Sequence, residues 1–198
     1  MTKSPLAKSA LTAAAIVALG VGVWLRQAAV SGAPVRVAAV RAEVMNTVVR
    51  VVAYADSESA GRVAIDAAFD RMTELEATLS ATIETSEVAR INRLPAESSH
   101  RLSPEMAEVI ALSLRVSELT EGAFDITVKP LIDLYKTTRG NPTPAQWDEA
   151  RSRVGYEKVQ FDKDRSTLIF TRERMAIDLG AVAKGYIVDE AAAVLRAH

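Results

Sequence analysis

Valines in rough alternation with polar positions fill Val35 to Ala55, "VRVAAVRAEVMNTVVRVVAYA", and predict two strands broken near Met45-Asn46-Thr47. The period then lengthens. Ile65, Ala68, Phe69, Met72, Leu75 and Leu79 recur at helical spacing, which predicts a helix from Glu58 to Ser80 with one buried face and Asp56 or Ser57 as its N-cap. "TSEVARINR", Thr85 to Arg93, is long enough for one short capped turn. Ser103 and Pro104 open the next helix with a cap and a first-turn proline. Its predicted stripe is Met106, Val109, Leu112, Val116 and Leu119, and Gly122 stops it. In "AFDITVKPLIDLYK", Pro130 allows at most a short helix, whereas Thr143 and Gln146 make a capping box around Pro144. "YEKVQFDKDRSTLIFT" predicts a hairpin turning at Lys163 to Ser166. At the end, "MAID" predicts a strand, "LGA" a turn and "VAKGYIVDEAAAVL" a helix. Strands and helices alternate irregularly, so the expected class is α+β.

The N-terminus departs from this pattern. Lys3 and Lys8 precede an uncharged run, Ala10 to Leu25, which ends at Arg26 and is followed by "QAAVSGAP". A basic stretch, an apolar stretch and small residues in that order predict a signal peptide or membrane anchor with its linker over residues 1–34, and a body, 35–198, outside the cytoplasm. A buried core helix is the alternative reading. Pro34 follows Ala33 directly, which leaves retention as an anchor as open as cleavage.

Composition narrows the chemistry. The 198 residues are 49% hydrophobic and 25% charged with net charge -1, an ordinary globular balance with no electrostatic case for nucleic acid. The absence of cysteine excludes disulfides, zinc–thiolate sites, thiol nucleophiles and a lipidated cysteine. With only His100 and His198, a histidine triad or metal cluster is disfavoured.

"AIDLGAVAKGYIVDEAAAVL", Ala176 to Leu195, carries Asp178, Lys184, Asp189, Gly180 and Gly185 in small, apolar surroundings. A strand end running into a helix N-terminus presents unpaired N–H groups and a positive dipole end, which suits phosphate. Gly180 lets the backbone come close to a ligand, and Lys184 adds a mobile positive charge. The segment reads equally as a helix of small residues packed on a sheet with Lys184 and Asp189 solvated, and it matches neither a Walker A loop nor a dinucleotide fingerprint. In "TEGAFDITVKPL", Thr120 to Leu131, Asp125 could accept hydrogen bonds from a ligand or cap the following turn.

Taken together, "MNT", "SEVARINR", "TEGAFDITVKPL" and "IDLGAVAKGYIVD", in this order and spacing, resemble the FAD:protein FMN transferases, the ApbE-type family, from about Val35 onward. The resemblance implies a T-fold-like mixed sheet with packed helices. It also implies Mg²⁺-dependent cleavage of FAD, with FMN joined through a phosphoester to a Thr hydroxyl of a target protein and AMP released. The implied location is the bacterial inner membrane or periplasm, with the membrane reached through the N-terminal helix. By position, Met45 would contact the flavin nucleotide, and Ala123, Phe124 and Asp125 would line the FAD site. Asp178 and Lys184 would bind FAD, Lys184 near the pyrophosphate, and the Ala181 carbonyl would face Mg²⁺. Asn46 replaces the glycine of the family's M-G-T, and Thr82 stands where an aromatic residue often holds FAD. Family members continue well beyond the position of His198, through a glycine-rich strand and the Asp and Thr side chains that complete the Mg²⁺ site. Residues 35–198 are therefore expected to be the N-terminal part of such a domain. The alternative expectation is a non-catalytic exported FAD-binding domain or an inactive fragment.

Overall fold

The computed structural model describes residues 33–198. Strands β1 (Val35–Val44) and β2 (Thr47–Ala55) pair antiparallel from Val35 opposite Ala55 to Arg41 opposite Val49, with an irregularity between Arg41 and Val44. Val44 pairs with Thr47 across a two-residue turn in which Met45 and Asn46 have φ of 53° and 55°. Two consecutive left-handed residues give the turn whose twist matches a hairpin. Asn adopts that region far more readily than most residues, so Asn46 is a workable substitute for glycine there. Val37 and Val51 face inward, while Val40, Val48, Val52 and Tyr54 face outward.

Helix α1 (Glu58–Leu79) crosses the inner face of this hairpin and buries the stripe Ile65, Ala68, Phe69, Met72, Leu75 and Leu79. Ser57 caps it, its hydroxyl accepting from the Ala60 N–H at 3.2 Å. Gly61 sets the approach of helix to strand. A Cβ there would lie 2.6 Å from Val37 Cγ2, so no larger residue fits at this spacing.

The short helix α2 (Glu87–Ile91) is capped by Ser86, as expected for the "TSEVARINR" turn. A two-residue strand, β3 (His100–Arg101), has no counterpart in the sequence reading. Helix α3 (Pro104–Leu119) has its Ser103 cap and ends through Glu121 and Gly122, both at positive φ. Its buried face corrects the predicted stripe: Met106, Val109, Ile110, Ser113 and Ser117 are buried, whereas Leu112 and Leu119 are 50% and 66% exposed. At 3.6 residues per turn those two leucines point roughly 120–140° away from the buried stripe. The serines take their place because each hydroxyl donates back to its own helix, Ser113 to the Val109 carbonyl and Ser117 to the Ser113 carbonyl.

A 3₁₀ turn at Ile126–Val128 leads into α4 (Lys129–Thr137), and α5 (Pro144–Ser152) carries the predicted capping box of Thr143 and Gln146. Strands β4 (Val159–Asp162) and β5 (Thr167–Phe170) form the predicted hairpin, and β3 joins it to give the order β3-β5-β4. Helix α6 (Gly180–Ala197) packs on α1 through Ala183, Ile187 and Ala191. Arg71 of α1 holds it in place, its guanidinium 2.7 Å from Glu190 of α6 and 3.2 Å from Glu105 of α3. The Glu190 hydrogen bond raises the Arg71 pKa above its ordinary value, so the cation persists throughout the folded range.

The class is α+β, as expected. Among the described residues the strands nevertheless divide between two antiparallel sheets and are not gathered into one mixed sheet. "MAID" is also not a strand. Met175 to Leu179 has no regular secondary structure; Met175, Ile177 and Leu179 are buried, and the segment joins neither sheet. The predicted signal or anchor over Ala10 to Leu25 lies outside the described residues. Among the described residues no helix is long and apolar enough to cross a membrane.

Candidate functional site

The Asp178-Leu179-Gly180 turn feeds α6 and is the centre of the candidate site. Leu179 is fully buried and fixes the turn in the core. No side chain of the N-cap residue closes the helix; instead Asp178 Oδ1 accepts from the Gly180 N–H at 2.8 Å. The Leu179 carbonyl accepts from both the Val182 and the Ala183 N–H, at 2.9 and 2.7 Å. A Cβ at Gly180 would sit 3.0 Å from Asp178 Oδ1, so a larger residue would make the carboxylate that caps the turn shift by a few tenths of an ångström.

Two clefts meet at this turn. The first, about 160 Å³, lies between the β1–β2 turn, the end of α1 and the first turns of α6. Asn46, Thr82, Asp178 and Lys184 supply its polar and charged side chains, Met45, Leu79, Ala183 and Ile187 its apolar ones, and Gly180 adds backbone. Met45 is only 8% exposed despite its left-handed backbone, so the strained turn delivers its side chain into the core side of this cleft. The second cleft, about 470 Å³, is lined by Ala123, Phe124, Asp125, Asp178, Gly180 and Ala181, with Val128, Ile132 and Val154 behind them. Its volume lies within the range of roughly 300–1,000 Å³ usual for small-molecule sites, and the first cleft extends it past the turn.

The seven sequence-predicted residues thus fall in the walls of these two adjoining clefts. Met45 and Lys184 line one, Ala123, Phe124, Asp125 and Ala181 the other, and Asp178 both. Two further clefts, about 500 and 640 Å³, lie around Glu149, Arg153 and Arg174 and contain none of the seven. There Glu149 pairs with both arginines, and Arg153 Nε is buried without a hydrogen-bond partner.

Asp125 takes the capping role that its sequence context allowed. Its Oδ1 accepts from the Thr127 N–H and hydroxyl, at 2.8 and 2.7 Å, and its Oδ2 accepts from the Tyr156 N–H at 2.9 Å. The Thr127 hydroxyl in turn accepts from the Gly155 N–H at 2.8 Å. Asp125 therefore caps the 3₁₀ turn and ties it to the loop before β4, and it also lines the second cleft. Thr82 is exposed on the rim of the first cleft, its hydroxyl 2.9 Å from that of Ser80, and offers no aromatic face.

The donor set for a metal is thin. Among the described residues no group of three or more His, Cys, Asp or Glu converges on one point. Ala181 lies in the first turn of α6, where one backbone carbonyl falls far short of the near-octahedral oxygen shell that Mg²⁺ demands. These residues do not by themselves fit the ion, and no step is assigned to it.

The family model of the ApbE family matches residues 45–198, most of the chain. This chain belongs to the ApbE family. It is 32% identical over 129 residues to the FAD:protein FMN transferase of Haemophilus influenzae, covering 61% of this chain and 37% of that protein. To the FAD:protein FMN transferase of Chlamydia pneumoniae it is 35% identical over 107 residues, covering 52% and 34%. The apo flavinyl transferase ApbE of Pseudomonas stutzeri superposes with a TM-score of 0.75 at 25% identity, over 84% of this chain and 54% of that one. The ApbE protein of Thermotoga maritima gives 0.70 at 28% identity, over 82% and 52%. The chain thus spans little more than a third of the curated relatives and about half of the solved structures.

The sequence reading gave no role to Glu76, Ser80 and Ala81, which complete the first cleft. Glu76 lies on the last full turn of α1 outside its buried stripe, and Ser80 and Ala81 lie at and just past its end, where helical periodicity stops carrying information. It also gave no role to Asn92, although the residue lies inside the quoted "SEVARINR".

Proposed function

We propose that the two clefts together hold FAD, and that the ApbE domain to which this chain belongs transfers FMN from FAD to a Thr hydroxyl of a target protein. The acceptor oxygen forms a new bond to the FMN phosphorus, the pyrophosphate bond breaks, AMP leaves with the bridging oxygen, and the hydroxyl gives up its proton. The observation that carries this reading is that Asp178 and Gly180 line both clefts at the N-terminus of α6. A helix N-terminus with an adjacent lysine favours a diphosphate lying across it. In this reading Met45 contacts the flavin nucleotide in the first cleft, and Lys184 approaches the pyrophosphate from the same side. Ala123 and Phe124 line the other part of FAD in the second cleft, with Asp125 holding their loop. Mg²⁺, which the resemblance implies, would need oxygen ligands beyond the Ala181 carbonyl, and no step is routed through it. Flavinylation is proposed to occur outside the bacterial cytoplasm, at the inner membrane or in the periplasm.

The test is mass spectrometry of a Thr-containing acceptor protein incubated with this chain, FAD and Mg²⁺. A mass gain equal to FMN minus water, with matching AMP release, supports transfer. A second reading, FAD binding without chemistry, is favoured by the thin metal donor set. It predicts saturable FAD binding with no AMP. Absence of any FAD binding defeats both.

A further inference from the structure

The segment from Met175 to Leu179 joins neither sheet, yet it leads directly into the Asp178 turn. Alternation along it sends Met175, Ile177 and Leu179 into the core, while Ala176 and Asp178 are only partly buried and line clefts. A buried chain outside a sheet must find other partners for its backbone groups. Here the Asp178 N–H donates to the Ile126 carbonyl at 2.8 Å. The Ile177 peptide groups are taken by a single side chain. Asn92 Oδ1 accepts from the Ile177 N–H at 2.7 Å, and Asn92 Nδ2 donates to the Ile177 carbonyl at 2.9 Å. A carboxamide offers one donor and one acceptor in one plane, so it can imitate the edge of a neighbouring strand.

Asn92 follows directly after α2, whose Ser86 cap is itself fully buried and donates to the Ser80 carbonyl at 2.6 Å. Ser80 is in the wall of the first cleft. One small helix therefore grips two parts of the site: the wall after α1 through Ser86, and the turn shared by both clefts through Asn92. We infer that Asn92 is a positioning residue for the ligand-binding turn, fixing Asp178 and Gly180 between the two clefts without lining either. The inference rests on the proposed FAD site for its functional consequence, and on the hydrogen bonds alone for the position of the turn.

Two substitutions separate the bonds. Asn92→Asp keeps an acceptor for the Ile177 N–H but sets a second oxygen against the Ile177 carbonyl; Asn92→Ala removes both partners. Val109→Ala, in the buried face of α3 and outside the lining of both clefts, serves as a control for general loss of stability. Amide hydrogen exchange on the full chain reads the turn directly. Both Asn92 variants are expected to lose protection at Ile177, Asp178 and Gly180 while α3 keeps its own, and Val109→Ala is expected to spare the turn. FAD titration by flavin fluorescence reads the consequence. Both Asn92 variants should weaken the dissociation constant by about tenfold, equivalent to about 1.4 kcal/mol, with Val109→Ala close to wild type. Unchanged exchange at the turn overturns the inference, and so does equal loss of FAD affinity in the control at matched melting temperature. A wild-type chain that binds no FAD overturns the proposed function instead, and the exchange arm then still decides whether Asn92 holds the turn.

Discussion

Asp125→Ala tests whether the aspartate in "GAFDITV" is a structural cap. Three donors converge on its carboxylate: the Thr127 N–H, the Thr127 hydroxyl and the Tyr156 N–H, at 2.7 to 2.9 Å. Thr127 is fully buried, so its N–H and hydroxyl lose their partner in a place water reaches poorly. A hydrogen bond to a charged group contributes about 1.5–3 kcal/mol, and a buried donor left unpaired costs about 1–3 kcal/mol. Asp125 is itself partly exposed, and water can replace part of the loss at Tyr156. The net cost is therefore set at about 3 kcal/mol, nearer one full bond than the sum of three. For a chain of this size that lowers the melting temperature by roughly 6–12 °C. Asp125→Asn keeps one acceptor but turns an amide toward an N–H donor, so a smaller loss of about 1–2 kcal/mol is expected. Urea unfolding followed by circular dichroism, with thermal melts in parallel, measures both. A loss below about 1 kcal/mol for Asp125→Ala would refute the capping role, because it would mean that the three donors do not depend on this carboxylate.

The remaining predictions concern packing, the turn and pH. Gly61→Ala forces a Cβ against Val37 at the α1–β1 contact, and overpacking of this kind should cost about 1–3 kcal/mol in urea unfolding. Gly180→Ala crowds the Asp178 carboxylate and should weaken FAD binding severalfold in a fluorescence titration while changing the melting temperature little. The Tyr186 hydroxyl is held protonated by burial first and then by its hydrogen bond to Glu108, which raise its pKa well above the ordinary value. With the folded pKa raised, its contribution to stability is complete below the unfolded value of about 10 and is lost as pH climbs beyond it. Tyr186→Phe should accordingly flatten the alkaline part of the stability profile measured by urea midpoints, and leave its shape at neutral pH unchanged.

Elements with a local signal were legible in the sequence. The caps at Ser57, Ser86, Ser103 and Thr143, the stripe of α1, the β4–β5 hairpin and the α-helical end of the chain all announce themselves within a few residues of where they form. The errors arose where a partner distant in sequence decides the outcome. Leu112 and Leu119 looked like core because they are apolar, yet two serines that bond to their own helix occupy the buried face. "MAID" has strand composition, but its pairing groups are met by Asn92 and Ile126, which no strand pattern reveals. The β3 strand is too short for any periodicity. At the site, the residues were found by motif, but their division between two clefts around Asp178 follows only from the fold.

The central claim is that FAD occupies the paired clefts across the Asp178–Gly180 turn. Equilibrium titration of the full chain with FAD, followed by flavin fluorescence, tests it most directly when wild type is compared with Asp178→Ala and Lys184→Ala. The account predicts saturable one-to-one binding by wild type and clear weakening in each variant, with helix content by circular dichroism preserved. Wild-type affinity in both variants, or no binding by wild type at high micromolar FAD, would contradict it.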